Sequence, residues 1–475
     1  MLNLRINRPT RKRGMAAIVA LAFLVILATV AVALAWVSSA EFNKSVNLAG
    51  VSRAQFAAES GLSMMQYVLR DLRLPYNTQS DTLMSNLHAE LGAAMDGSAL
   101  LGGYDVALAG QTVYLPPIDL PKDGFSCHFE PGTREGQFGC WMTVTGTAGA
   151  ISRRVAVFLA CSPKRSPIFD FGVASRGRIV VSGNASLSGA NHPGEASILS
   201  TLGEPMAIEA GGHANISGDL FVTGEDIDYV LLHGSGLTVG GTSDITKILS
   251  EHVFLGTEEP EFPEIDTAPL AALTTTTIDA NTDLSGFGGV FNNVLIKAGT
   301  DPHFTGDTVI NGILFIEAPN KVVFGSDTTV NGMIATTDGG DYGLDNCQID
   351  FRGHASAPGT VALPDTEEFA AVKQQEGTFL LGPGFEVIFR GTSNTVNGTM
   401  AADQFSFLGN TNIEGDFTGG IIGLDDNQLT FQGNANISIN LKDTAALPAG
   451  FQHKMALTIV GGSYVEPVGQ TGYLP

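Results

Sequence analysis

The sequence predicts a mainly β protein: a long N-terminal α-helix, membrane-spanning in its first half, followed by a parallel β-helix, or solenoid. Three observations lead there. Met15 to Val37 reads MAAIVALAFLVILATVAVALAWV, without a charged residue. Beyond residue 166 a Gly-containing frame recurs, with starts 18, 20 or 24 residues apart. Gly supplies 58 of 475 residues and charged residues only 15%, a composition for many short strands joined by tight turns rather than for disorder.

Five basic residues (Arg5, Arg8, Arg11, Lys12 and Arg13) and no acidic one precede Gly14. The apolar run after it spans about 35 Å as a helix, enough to cross a bilayer core with some tilt. The basic end stays cytoplasmic by the positive-inside rule. The expectation is a single pass through the cytoplasmic membrane, with the body in the periplasm or at the cell surface. A cleaved signal peptide needs a shorter apolar stretch, although Ser38-Ser39-Ala40 offers a cleavage sequence. A signal anchor on a surface protein unrelated to any filament is the alternative.

Residues 38–73 contain no Pro, and Val51, Phe56, Leu62, Met65, Val68, Leu69 and Leu72 recur at a loosely helical spacing. Pro75 ends the pattern. Met15 to Arg73 as one helix would run about 88 Å. Its first half suits a membrane and its second half suits packing.

The order of residues at the start carries a resemblance. A basic segment ending in Gly14, with Met15 opening the apolar helix, resembles the cleavage site of class III prepilins. QFAAESGL, Gln55 to Leu62, resembles the AAE-small-Gly segment of PilX-type minor pilins, and RGMAAIVALAFLVIL is similar to their start. The resemblance covers about residues 8–75 and implies several things. A prepilin peptidase would cut after Gly14 and leave Met15 as the mature N-terminus. The helix would pack with other pilin or pseudopilin subunits of a type IV pilus or type II secretion pseudopilus. Major pilins carry Glu at the fifth mature position, which here is Val19. A neighbour's ammonium buried against Val19 would go unpaired, at a cost. The GspK-type tip subunit and many PilX-like proteins also lack this Glu, so the resemblance implies a minor or tip component.

The expected organisation is a leader at 1–14, a spine helix at 15–75, a small α+β or β module at 76–165, a solenoid at 166–442 and a C-terminal segment at 443–475. Within the module, 82–95 reads as helix and 104–115 as strand. Residues 140–161 read as a hairpin turning near 147–150, and SPKRSP at 162–167 as a linker. The spacings of Cys127, Cys140, Cys161 and Cys347 match no zinc pattern. Outside the cytoplasm Cys127 and Cys140 could bridge the loop between them; four buried free thiols are the other reading.

The repeats decide the architecture. FTGDTVINGIL (304–314), FGSDTTVNGMI (324–334), FRGTSNTVNGTM (389–400), FLGNTNIEGDF (407–417) and FQGNANISINL (431–441) share one frame, with looser copies VSGNASLSGA (181–190) and AGGHANISGDLF (210–221). One coil cannot bury its inward side chains, whereas stacked coils bury them together. Phe304, Phe324, Phe389, Phe407 and Phe431 are expected to form one inward ladder, with Val330, Val396 and Ile413 on a second row. Residues 251–286 and 363–377 read as excursions. Loosely, the repeats look like bactofilin or pectin-lyase-like solenoids; a β-sandwich is the structural alternative, disfavoured by the repeat.

From residue 166 onward 10 Lys and Arg face 37 Asp and Glu. A body this acidic repels nucleic acid and anionic lipid. A solenoid enzyme acting on polysaccharide would need clustered carboxylates, but the acidic pairs lie in Gly- and Asn-containing turn sequences. Asp338, Asp341, Asp345 and Asp350 in DGGDYGLDNCQID are the one candidate set for Ca²⁺, with solvated turns as the plainer reading. No nucleophile elbow, Walker A or dinucleotide motif occurs. The sequence therefore points to a structural or interaction protein without a cofactor, not an enzyme.

Overall fold

The computed structural model describes residues 13–98, 101, 103–119, 123–282, 289–391, 394–441 and 447–467. It is mainly β, with one long N-terminal helix and a large parallel solenoid. The chain divides into two compact units: residues 1–163 together with 455–475, and residues 164–454.

In the first unit, α1 (Arg13–Asp71) and α2 (Leu83–Met95) accompany an antiparallel sheet of β1 (Ala107–Ala109), β2 (Thr112–Asp119), β3 (Gly124–Arg134), β4 (Gln137–Ala148), β5 (Ile151–Pro163) and β6 (Met455–Ile459), in that order. The hairpin expected in 140–161 is present: Ala148 faces Ile151 across a turn at Gly149, whose φ is +61°. β5 runs on through Ser162 and Pro163, because β6 pairs with it from Ile459–Leu159 to Met455–Pro163. One face of the sheet shares a core with α2 and the second half of α1.

The second unit is a three-faced parallel β-helix. Thr399–Phe407 shows how a coil is made. Met400 pairs with Leu380 and Ile421 on the first face, Phe407 pairs with Phe389 and Phe431 on the second, and Asn412–Phe417 follows on the third, paired with Asn436–Leu441. The phenylalanine ladder forms on the second face. Centroids lie 5.1 Å apart for Phe304–Phe324, 5.3 Å for Phe389–Phe407 and 4.8 Å for Phe407–Phe431, with planes within 9° of parallel. A sixth ring, Phe351, fills the rung between Phe324 and Phe389 at 5.0 and 4.9 Å. The second row differs from expectation. Val330 pairs with Ile310 and Val396 with Ala357, but Ile413 pairs with Asn394 and continues to Ile437 and Leu187. Ile413 thus belongs to a neighbouring inward row, two residues along.

The coils do not stack in sequence order. The chain first winds through 173–254, crosses back, winds again through 276–441, and then pairs onto its own first turn. Ile421 pairs with Val173, Phe431 with Val181 and Ile437 with Leu187, all in parallel. The crossing, residues 255–275, falls within the excursion predicted at 251–286 and runs along the first face. Glu264–Ile265 pairs antiparallel with Phe451–Gln452, Thr267 Oγ1 donates to the Thr336 carbonyl at 2.6 Å, and Thr275 N–H donates to the Asn293 carbonyl at 2.7 Å. This strap explains why the first-face strands are apolar on both sides. Leu314 and Ile316 point into the solenoid, while Ile313 and Phe315 point out and are buried with Leu270 and Phe451. The second excursion holds short helical turns whose Leu363, Phe369 and Val372 form their own cluster.

Candidate functional site: the N-terminal helix and its seat

α1 contains a segment long and apolar enough to cross a membrane, and that segment is unburied within the chain. Residues 1–12 of the leader lie outside the described residues. Gly14 and Met15 fall in the first turn of α1, and their side chains are likewise outside what is described. Val19 sits on the bare stretch at 56% exposure.

The second half of α1 lies on the sheet. Ala54, Ala58, Leu62, Met65 and Leu69 are all buried, at intervals of three and four that make one helical stripe. The approach is very close. A Cβ on Gly146 of β4 would lie 2.1 Å from the Ala54 carbonyl oxygen, and one on Gly61 would lie 2.5 Å from the Phe125 ring. The small residues of AAESG are therefore the seat itself: Ala57, Ala58 and Gly61 permit backbone to meet sheet. Phe56, by contrast, is 65% exposed. On the polar rim Gln55 Nε2 donates to Glu59 Oε1 within the helix at 2.9 Å, and Arg53 Nε ties the helix down by donating to Asp123 Oδ2 at 3.2 Å.

The register does not bring Cys127 and Cys140 together. Cys127 faces Val144 and Cys140 faces Pro131, a stagger of about 14 Å along the strands, twice the reach of a disulfide. Both are free and buried, as are Cys161 and Cys347. Burial pushes the Cys161 thiol up to about 11 and those of Cys127 and Cys140 higher still.

The four aspartates of the candidate calcium set have separate environments. Asp338 Oδ1 accepts from its own turn at Gly340 N–H, 2.9 Å away. Asp350 is buried on a strand and accepts from Arg352 Nε at 2.7 Å and Arg390 Nε at 3.1 Å, while Asp341 and Asp345 are exposed. Among the described residues no three His, Cys, Asp or Glu side chains converge on a metal position. Glu386 is similarly engaged, accepting from Gln348 Nε2, Gln404 Nε2 and Ser406 Oγ at 2.9 to 3.0 Å. Asp403 differs: burial pushes its carboxyl up to about 6, reinforced by Asp425 and Asp338 and opposed by the Gly384 N–H. Nothing in the sequence distinguished it from the turn aspartates.

No family model matches the chain, and no curated protein matches it. Among solved structures, the competence-associated pilin ComZ from Thermus thermophilus matches over 88% of this chain and 97% of its own, at 13% identity and a TM-score of 0.25.

Proposed function

We propose that the chain is a minor, tip-type, pilin-like subunit of a type IV pilus or type II secretion pseudopilus, non-enzymatic, displaying its solenoid for adhesion or interaction. The observation that carries this reading is α1: one helix of 59 residues, apolar and bare in its first half and seated on an antiparallel sheet in its second. The bare half is a membrane anchor before assembly and a packing surface among other pilin or pseudopilin subunits after it. Prepilin peptidase would release this half by cutting between Gly14 and Met15. Val19 leaves a neighbour's terminal ammonium without a counter-charge, which suits a subunit with nothing stacked above it. The acidic solenoid is a poor surface for nucleic acid.

The test is the mature N-terminus. Mass spectrometry of the membrane fraction should place it at Met15, and Gly14→Leu should leave the full precursor. A mature protein beginning at Glu41 would mean ordinary secretion and would remove the pilin assignment.

A further inference from the structure

The solenoid ends in an open rung. Val230–His233, Thr238–Val239 and Val253–Phe254 each pair with one neighbouring strand, on the coil of residues 208–222. Apart from Val239, which is bridged to Thr242, no further strand pairs with them among the described residues. α3 (Ile245–Glu251) closes the core at this end through Ile248, which is fully buried. The strand edges themselves stay open.

Exposed apolar side chains lie on this rung and in the segments beside it. Met206, Ile227, Leu231, Ile245, Phe254 and Leu255 are 36% to 48% exposed. Elsewhere on the described solenoid, the exposed large hydrophobics are Val290, Tyr342 and Val361, far apart in sequence. An outer aromatic column also stops here: Phe221 packs edge-on to Phe171, Phe254 stacks on Phe221 at 4.7 Å, and no further ring continues the column among the described residues. Open strand edges beside an apolar surface are a template for a further strand.

Charge selects the occupant. From Glu225 to Glu259 the chain carries seven acidic residues and a single basic one, Lys247. A second copy would bring two acidic rims together, and like charges facing each other suppress pairing. We propose that this rung docks an extended segment of a different protein. The segment would pair beside Val253–Phe254 on the first face, apolar where it lies over Phe254 and carrying Lys or Arg on its flanks. It would add the next strand to the solenoid. The inference is independent of the filament assignment, since it concerns residues of the solenoid alone.

The test uses the full-length protein in detergent micelles and a labelled peptide of about nine residues, one long strand, alternating Val or Phe with Thr between Lys pairs. Saturable binding is expected, weakening as salt rises from about 50 to about 500 mM. It should fall about tenfold or more in Phe254→Glu. Leu255→Glu changes the patch one residue beyond that strand and should weaken it too, while Val361→Glu should not. A peptide with Glu pairs in place of the Lys pairs should fail to bind. The proposal is overturned if the Lys peptide does not bind, if both peptides bind alike, or if Val361→Glu is as damaging as Phe254→Glu. It is equally overturned if sedimentation shows Phe254-dependent self-association, which would make the occupant a second copy.

Discussion

The side-chain amide of Asn184 donates to Asn434 Oδ1 at 2.9 Å, across 250 residues of sequence. Asn434 in turn donates to Asn410 Oδ1 at 2.7 Å, so one amide ladder runs through the joint between the last coil and the first. A parallel column does the same: Asn191 donates to Asn440 and Asn440 to Asp416, each at 2.7 Å. The joint is built like the coil contacts on either side of it, and its energetics should match theirs.

Phe407 sits mid-ladder with rings on both sides. Phe407→Ala should lower the unfolding free energy by about 3–5 kcal/mol, from lost transfer and the cavity left behind. Chemical denaturation reads this directly. A loss below about 1 kcal/mol would mean that the ring contributes little to coil stacking.

Gly183 and Gly409 have nearly the same left-handed φ, +76° and +74°. A Cβ on Gly183 would sit 2.9 Å from the Gly433 carbonyl oxygen, whereas one on Gly409 meets nothing within 4 Å. Gly409→Ala should cost about 1 kcal/mol from backbone strain alone. Gly183→Ala should cost clearly more, since it also pushes the first coil off the last. Equal costs for the two variants would contradict a tight joint.

Asp403 has its carboxyl raised to about 6 in the folded protein, against about 3.9 unfolded. The folded state therefore binds more protons between those values, and stability should fall as pH rises through that window. Asp403→Asn should remove this dependence and stabilise the protein at pH 7 by about 1–2 kcal/mol, discounted for partial solvation. Thermal melts of both proteins at about pH 5 and pH 7 measure it; identical pH responses would refute the assignment.

The cysteines give a simpler readout. Cys127, Cys140, Cys161 and Cys347 are buried, and burial raises all four thiols. None should react with a thiol reagent in the native protein, and all should react once it is denatured without reductant. A count reduced by a pair would reveal a disulfide that the register of β3 and β4 does not accommodate.

The ladder was legible in the sequence because Phe recurs at coil spacing and Gly marks each corner. Phe351 escaped although FRGHASAPG follows the frame, because Ala357 stands where other copies carry Val or Ile. The order of coils was not legible for a related reason. Phe431 pairs with Val181 as readily as with Phe407, and nothing in one copy of the frame specifies which copy lies beside it. The AAESG segment could be read only by resemblance, because its physical cause, Gly146, lies more than eighty residues away. The return of β6 left no trace, since MALTI is too short to show a period. The acidic turns read as solvated, with a shared ion the lesser candidate, and neither describes Asp350, which is buried and engaged by Arg352 of its own coil and Arg390 of the next.

The placement of Val181 beside Phe431 also sets an order of events in folding. The coil of residues 173–200 is made early in the chain but has no neighbour on one side until residues 421–441 exist. A growing or translocating chain therefore holds an unpaired parallel edge open for almost the whole length of the solenoid. Closure across such a sequence separation is slow, and an open edge held that long invites aggregation. Refolding should show a late phase that brings the joint together, slowed by Gly183→Ala and untouched by Gly409→Ala.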